Sequence, residues 1–317
     1  MPALAPTETL VSFAAVGNRE DLSDIIYDVS PTETPFLSAI PKTKATGTKH
    51  EWQTHSLTAA SSSNFVGEGA DATTDASTTT ARLFNYRAIS DKVARVSGTQ
   101  EAVSKAGRRS EMAFQMEARM KEIKRDVEAI LLENNAYVAG NASTAPECAG
   151  AQAYIKTNVD RASDSTASAG TGADIHTDGT ARALQESMVE SALALAWANG
   201  GNPSMGVLNA FQKRKFASFS GSSTKTSDGD KKKVVNSVDI YIDPLGTEVR
   251  LVPCRQVPTD VIYFFDTEYV KFAVLRDFRT VDLAKTGDSE RKQILAEYTL
   301  EMCNEKAHAA VYDLAAS

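Results

Sequence analysis

The run KHEWQTHSL (residues 49–57) and the run RLFNYRAISDKVARVSG (residues 82–98) flank the segment TAASSSNFVGEGADATTDASTTTA (residues 58–81). Both flanking runs roughly alternate in polarity, as half-buried strands do. The segment between them is mostly small and polar and has few groups to bury. Together they predict a long β-hairpin with a loose tip. Ten strand residues reach roughly 33 Å, and an isolated two-stranded hairpin is only marginally stable in water. Such a hairpin either lies flat on its own domain or is held by something outside the chain.

Upstream, residues 1 to 47 carry Pro2, Pro6, Pro31, Pro35 and Pro41. Proline restricts both its own backbone and that of the preceding residue to extended forms, so this stretch reads as an arm. Downstream, a helix is expected from about Glu101 to Asn135, with Met112, Met116, Met120, Ile123, Val127, Ile130 and Leu131 forming one apolar face. Glu117 with Lys121, and Lys124 with Glu128, stand at i,i+4 on what would be the water-facing side. At ~1.5 Å per residue this helix would be about 50 Å long. A methionine stripe at helical spacing is read as core rather than as a ligand box.

Past Gly140 the pattern softens into the low-complexity loop SDSTASAGTGADIHTDGT (163–180), near which a second domain is expected to begin. Leu184, Met188, Leu195 and Trp197 mark a second helix ending at Asn199-Gly200-Gly201, where glycine can take the left-handed cap conformation. A shorter helix is expected around Ala210–Phe219, followed by the loop SGSSTKTSDGD. From Val234 onward strands dominate: Val238, Ile240 and Ile242 alternate, as do Val270, Phe272 and Val274, and Ile294, Tyr298, Leu300 and Met302 largely share a parity. Strands cluster instead of interleaving with helices, so the fold class is α+β.

Composition excludes several functions. At 317 residues, with 42% hydrophobic and 24% charged, the chain has the make-up of a folded globular protein. Formal charge is −7, and the one basic run, Lys231–Lys233, follows Asp228 and Asp230. That is a poor footprint for DNA binding, which needs a concentrated positive face. Three separated cysteines, Cys148, Cys254 and Cys303, draw neither a disulfide framework nor a metal knuckle and suit a reducing compartment. The N-terminus lacks a charged leader region, and no run of 18 apolar residues marks a membrane span.

Three motifs invite an enzymatic reading. HEWQTH (50–55) has one residue too many for H-E-x-x-H, so on a helix His50 and His55 would point about 140° apart. His176 and His308 have no ligand cluster near them in sequence. Ser222-Ser223-Thr224-Lys225 and Lys285-Thr286-Gly287 match S-x-x-K and K-T-G of the penicillin-binding class, but no S-D-N occurs and the serine lies in a Ser/Gly/Asp-rich loop. Nor is KTGDS a phosphate loop, since its lysine does not follow a second glycine. Gly287 is expected to take a positive φ in a turn between strands. No catalytic, cofactor-binding or metal-ligating residue is expected.

The strings IIYDVSPTETPFLSAIPKTKATGTKHEWQT, SGTQEAVSKAGRRSEMAFQ, GGNPSMGVLNAFQKRKFASFSG and LAKTGDSERKQILAEYTLEMCNEKAHAAV occur in this order over nearly the whole chain. In them the chain resembles the major capsid proteins of tailed bacteriophages, the SU-ten type major head protein family in particular. The resemblance implies the Hong Kong 97-like fold: an N-terminal arm (1–45), an extended loop (46–97), a peripheral domain with a spine helix (98–179) and return strands (272–317), and an axial domain (180–271). It implies a non-enzymatic shell subunit that makes pentamers and hexamers with copies of itself around double-stranded DNA held without sequence-specific binding. The implied partners are a separate scaffolding protein, a portal and a decoration protein, and the implied location is the virion capsid, assembled in the host cytoplasm. Two alternatives remain at this point. An encapsulin-like compartment would share the fold and enclose protein, and a serine hydrolase would be labelled at Ser222.

Overall fold

The structure is a computed structural model that describes residues 33–71, 77–105, 107–219 and 239–316. Its longest helix, α3, runs Glu111–Leu132. Ser110 caps it by accepting from Ala113 N–H at 3.2 Å, and the Glu101 carboxylate accepts from Glu111 N–H at 2.9 Å and Met112 N–H at 3.3 Å. These acceptors explain why the single helix expected from Glu101 to Asn135 is divided. Residues Gly98–Ala102 form a separate short helix, α2, and Gly107 at φ +75° lies in the turn between the two. A helix start needs acceptors for its first N–H groups, and Glu101 can reach them only from outside the helix.

Four strands make the first sheet, in the order β1 (Lys42–Lys44), β10 (Val270–Asp282), β11 (Ser289–Met302), β4 (Ala88–Ser97). α3 packs on β4 and β11, placing Met112 and Met116 against Ala94 and Val96. On β11, Ile294, Ala296, Tyr298, Leu300 and Met302 are all buried, as the parity required. β10 and β11 are joined by the turn containing Gly287 at φ +80°, in agreement with its expected role.

The returning arm of the hairpin differs from expectation. The ladder pairs only β2 (Lys49–Thr54) with β3 (Ala81–Tyr86). Beyond Arg87 the chain changes partner, and β4 pairs antiparallel with β11 from Ala88↔Tyr298 to Ser97↔Ser289. Residues 88–97 are therefore sheet, because Ala88, Ala94 and Val96 supply a buried face that a free ribbon could not use.

The second sheet has the order β5 (Val159–Asp160), β12 (Ala309–Val311), β9 (Ile262–Phe265), β6 (Met205–Leu208), β8 (Glu248–Pro253), β7 (Ile240–Ile242). Its centre is apolar on both faces. Ile262, Phe264, Val249, Leu251, Ala309 and Val311 pack with α4 (Glu186–Ala198) and α5 (Ala210–Phe216). Tyr263, Phe265, Val207, Ala310 and Tyr312 face the other way, into a core shared with Val127 and Leu131 of α3 and with Phe272 and Tyr298 of the first sheet. Tyr263 Oη also donates to Leu132 O at 2.9 Å, satisfying a carbonyl at the end of α3. On β7 the buried residue is Tyr241, while Ile240 and Ile242 are exposed, the reverse of a core role for the alternating isoleucines. The low-complexity segment 163–180 is built into the body, with Ser165, Ser168 and His176 buried.

Of the arm, residues 33–45 lie against the body and residues 1–32 fall outside the described residues. α1 (Pro35–Ala39) buries Phe36 completely. Glu128, placed by its i,i+4 spacing on the wet face of α3, instead turns inward and is fully buried. Its carboxylate accepts from Phe36 N–H at 3.3 Å, Leu37 N–H at 3.1 Å and the Cys254 thiol at 3.1 Å. Burial pushes its pKa up, and these three donors oppose the shift. Pro41 O then accepts from Phe272 N–H, which starts the parallel pairing of β1 with β10.

Glu128→Ala would leave the buried Phe36 N–H and the part-buried Leu37 N–H without their acceptor, an unmade bond costing about 1–3 kcal/mol. The expected loss is about 2–4 kcal/mol in denaturant unfolding, with faster tryptic cleavage at Lys42 and Lys44. Unchanged stability and cleavage would show that Glu128 does not hold the arm.

Candidate functional site

Among the described residues, the tip of the β2–β3 ribbon is exposed and not packed into the fold. Residues 55–71 and 77–80 are exposed throughout. Leu57 is 88% exposed, Phe65 87% and Val66 75%, so three large apolar side chains stand in water. Near the ladder a few polar contacts close the ribbon: His55 Nε2 lies 2.7 Å from Thr78 Oγ1, and Thr80 donates to Gln53 at 3.2 Å.

The base is the opposite case. Asn85 is fully buried; its Nδ2 donates to Ala149 O at 3.2 Å and Leu300 O at 2.9 Å, and its Oδ1 accepts from Ala149 N–H at 2.9 Å. Tyr154 Oη donates to Phe84 O at 2.8 Å, and Thr299 Oγ1 donates to Tyr86 O at 2.8 Å. On β2, Trp52 packs on the Tyr154 ring with centroids 5.8 Å apart. His50 Nε2 lies 2.8 Å from Glu301 Oε2, an ion pair when the imidazole is protonated. Burial works to raise the Glu301 pKa, but His50, Cys303 and Lys271 outweigh it and hold the carboxyl below its usual value. One end of the ribbon is thus fastened by directional bonds, and the other presents apolar groups.

Among the described residues, His50 and His55 are not brought together. His50 and His55 have separate partners on β11 and in the loop, as their spacing required. Lys285-Thr286-Gly287 is the β10–β11 turn, and Ser222–Lys225 lies outside the described residues. Burial pushes the Cys148 and Cys254 thiols up to about 12 and Cys303 up to about 11, far from a thiolate at neutral pH. His308 is a buried core histidine: Nδ1 accepts from Asp266 N–H at 3.2 Å and Nε2 faces Tyr269 O at 3.3 Å. His176 departs from expectation. Although isolated in sequence, it lies beside Asp313 and Asp178, with Nε2–Oδ1 distances of 3.2 and 3.9 Å. The partner 137 positions away is invisible to any local motif search. Among the described residues no helix is long and apolar enough to cross a membrane.

Comparison with known proteins follows the same lines. The pattern of the SU10 major capsid protein family matches residues 6–315. A curated relative, the "Major capsid protein" of Escherichia phage Phieco32, is 27% identical over 352 aligned positions covering 98% of this chain and 99% of that one. Among solved structures, the capsid of a native GTA particle superposes with a TM-score of 0.66 at 11% identity, covering 99% of this chain and 100% of the other. The capsid subunit of cyanophage A-1(L) gives 0.65 at 12% identity, covering 96% and 99%. These structures share the fold, which is Hong Kong 97-like.

One measurement checks the ribbon base and a second checks the core histidine. Asn85→Ala removes a buried amide that holds strand to body, and is expected to cost about 2–4 kcal/mol and to speed amide exchange across residues 81–87. Wild-type exchange there would remove Asn85 as the anchor. Burial also lowers the His308 pKa to about 4 from 6.5. A depressed folded value means the unfolded chain takes up the proton first, so the stability from this group is complete above pH 6.5 and lost as pH falls toward 4. Denaturant midpoints should decline across that window in the wild type and decline less in His308→Gln. Equal slopes would contradict the assignment.

Proposed function

The chain belongs to the SU10 major capsid protein family, and from that premise we propose that it is the major capsid protein of a tailed phage, closing as pentamers and hexamers into an icosahedral shell around double-stranded DNA. The observation that carries this is the contrast within one ribbon: a base fixed by Asn85, Phe84, Tyr86 and His50, and a tip exposing Leu57, Phe65 and Val66. Apolar groups so exposed gain by burial elsewhere, at about 25 cal/mol per Å² removed from water. Copies of the same chain are always available to a shell subunit. In the proposed assembly each tip lies over a neighbouring subunit and the arm reaches another.

A specific interface buries roughly 1,600 Å², and several such contacts per subunit give a firm shell without one dominant bond. The acidic balance, −7, suits a wall that encloses DNA without gripping its phosphates. We assign residues 1–45 to the arm, 46–87 to the extended loop, 98–179 and 272–317 mainly to the peripheral domain, and 180–271 to the axial domain. β4 joins the peripheral sheet because its ladder is with β11, and β5 and β12 join the axial sheet because theirs are with each other and with β9. A scaffolding protein, a portal and a decoration protein are the proposed partners, with assembly in the host cytoplasm.

Deleting Asn64–Thr80 removes the tip and leaves the β2–β3 ladder in place. The variant is expected to give a soluble subunit with near-wild-type thermal unfolding, and to form few or no shells by electron microscopy where the wild type forms them. Full shell formation by the variant would overturn the role given to the tip.

A further inference from the structure

The first sheet has one face on α3 and one face turned away from it. Lys92, paired with Ile294, reaches Asp126 of α3 at 2.7 Å, so the even-numbered residues of β4 and β11 look toward the helix and the odd-numbered ones look away. On the far side, Glu297, Thr299 and Glu301 lie under the ribbon base, where Arg87, Tyr86 and His50 meet them. The rows that follow toward Ser289 have no such cover among the described residues. Val93 pairs with Gln293, which pairs with Val281, and directly paired residues share a face. Leu295 lies one row nearer the ribbon, between Asp91 and Arg279, and Arg291 one row farther, beside Arg95. Val93 is 40% exposed and Val281 38%, with Leu295 half-buried between the rows.

Scattered valines on a solvent face need no explanation. The charges around these are unbalanced, however. Arg95 Nε donates to Ser289 Oγ at 3.0 Å, and Arg291 reaches Thr286 Oγ1 at 3.4 Å. Among the described residues none of Arg95, Arg279 and Arg291 is in an ion pair. Asp91, the carboxylate in these rows, accepts from the Gln293 amide at 2.8 Å. The open half of the face is therefore an apolar strip bordered by three arginines without acidic partners.

The ribbon tip has the opposite make-up. Residues 56–80 contain no lysine or arginine, and their charged residues are Glu68, Asp71 and Asp75. Glu68 and Asp71 are exposed and follow the exposed Phe65 and Val66 within a few positions. Because Phe65 and Val66 stand in water, the tip does not lie on the sheet of its own chain.

We propose, resting on the shell reading above, that the open strip across β4, β11 and β10 is the seat for the ribbon tip of a second copy. Phe65 and Val66 cover the valine and leucine side chains, and Glu68 and Asp71 meet the arginines around them. The incoming tip thus extends over the same face of β11 that the chain's own ribbon base already covers. Burial of apolar surface gives such a contact its strength. Opposite charge decides which surface the tip selects, because a wrong seat would leave carboxylates or guanidiniums facing their own kind.

The test places a photoreactive benzoylphenylalanine at Phe65 in heavy-isotope-labelled chains and assembles them into shells with unlabelled wild-type chains. Irradiation is expected to join the labelled tip to unlabelled peptides within residues 88–97 and 279–295. Crosslinks confined to other segments, or to the tip's own chain, would overturn the seat and leave the shell reading intact. Failure of the wild type to form shells would overturn that reading, and the seat with it. Charge exchange gives an independent readout. Glu68→Arg with Asp71→Arg, or Arg279→Glu with Arg291→Glu, should each leave thermal unfolding of the subunit near wild type and remove most shell formation, and all four substitutions together should restore it. Wild-type assembly by either pair alone, or no recovery when the pairs are combined, would overturn the charge pairing.

Discussion

A two-stranded ribbon has no interior, and everything about this chain follows from how that constraint is met at one end and left open at the other. At the base, the ribbon lies on the second face of β11. Glu297, Thr299 and Glu301 alternate with the apolar residues there and are buried, an arrangement that costs free energy unless each finds a partner. They do: Arg87 and Arg276 approach Glu297, Tyr86 O accepts from Thr299, and His50 pairs with Glu301. The polar face of β11 and the ribbon base thus satisfy one another. At the tip no such exchange is made among the described residues.

The two sheets of the body share a core. Tyr263 and Phe265 from one sheet, Phe272 and Tyr298 from the other, and Val127 and Leu131 from α3 belong to the same cluster. Phe36 joins it from the arm, its ring tilted against Phe265 with centroids 4.7 Å apart. Interiors of this density transmit displacement instead of absorbing it. A force applied at the ribbon base through Asn85 reaches Ala149 and Leu300 directly, and through them both sheets.

The sequence made some of this legible and hid the rest for identifiable reasons. Period-two alternation located β10 and β11, and glycine chemistry located the turn at Gly287, because both signals are local. The division of α2 from α3 was hidden, since the capping carboxylate of Glu101 stands ten residues before Glu111. Glu128 was misplaced because i,i+4 pairing with Lys124 is a rule for solvated faces, and its true partners, Phe36 and Leu37, lie some ninety residues earlier. The β3–β4 boundary at Arg87 carries no turn signal; only the competing ladder offered by β11 decides it. The His176 cluster depends on Asp313, at the far end of the chain, and spacing arguments cannot reach it.

In the proposed assembly the tip of the ribbon acquires its packing only from other copies of the chain. Hydrogen exchange read by mass spectrometry, on the free subunit and on assembled shells at one pH and temperature, tests it most directly. Residues 55–71 should exchange freely in the subunit and become protected in the shell, while residues 83–97 stay slow in both. Protection of residues 55–71 already present in the free subunit, or absent in the shell, would contradict the account.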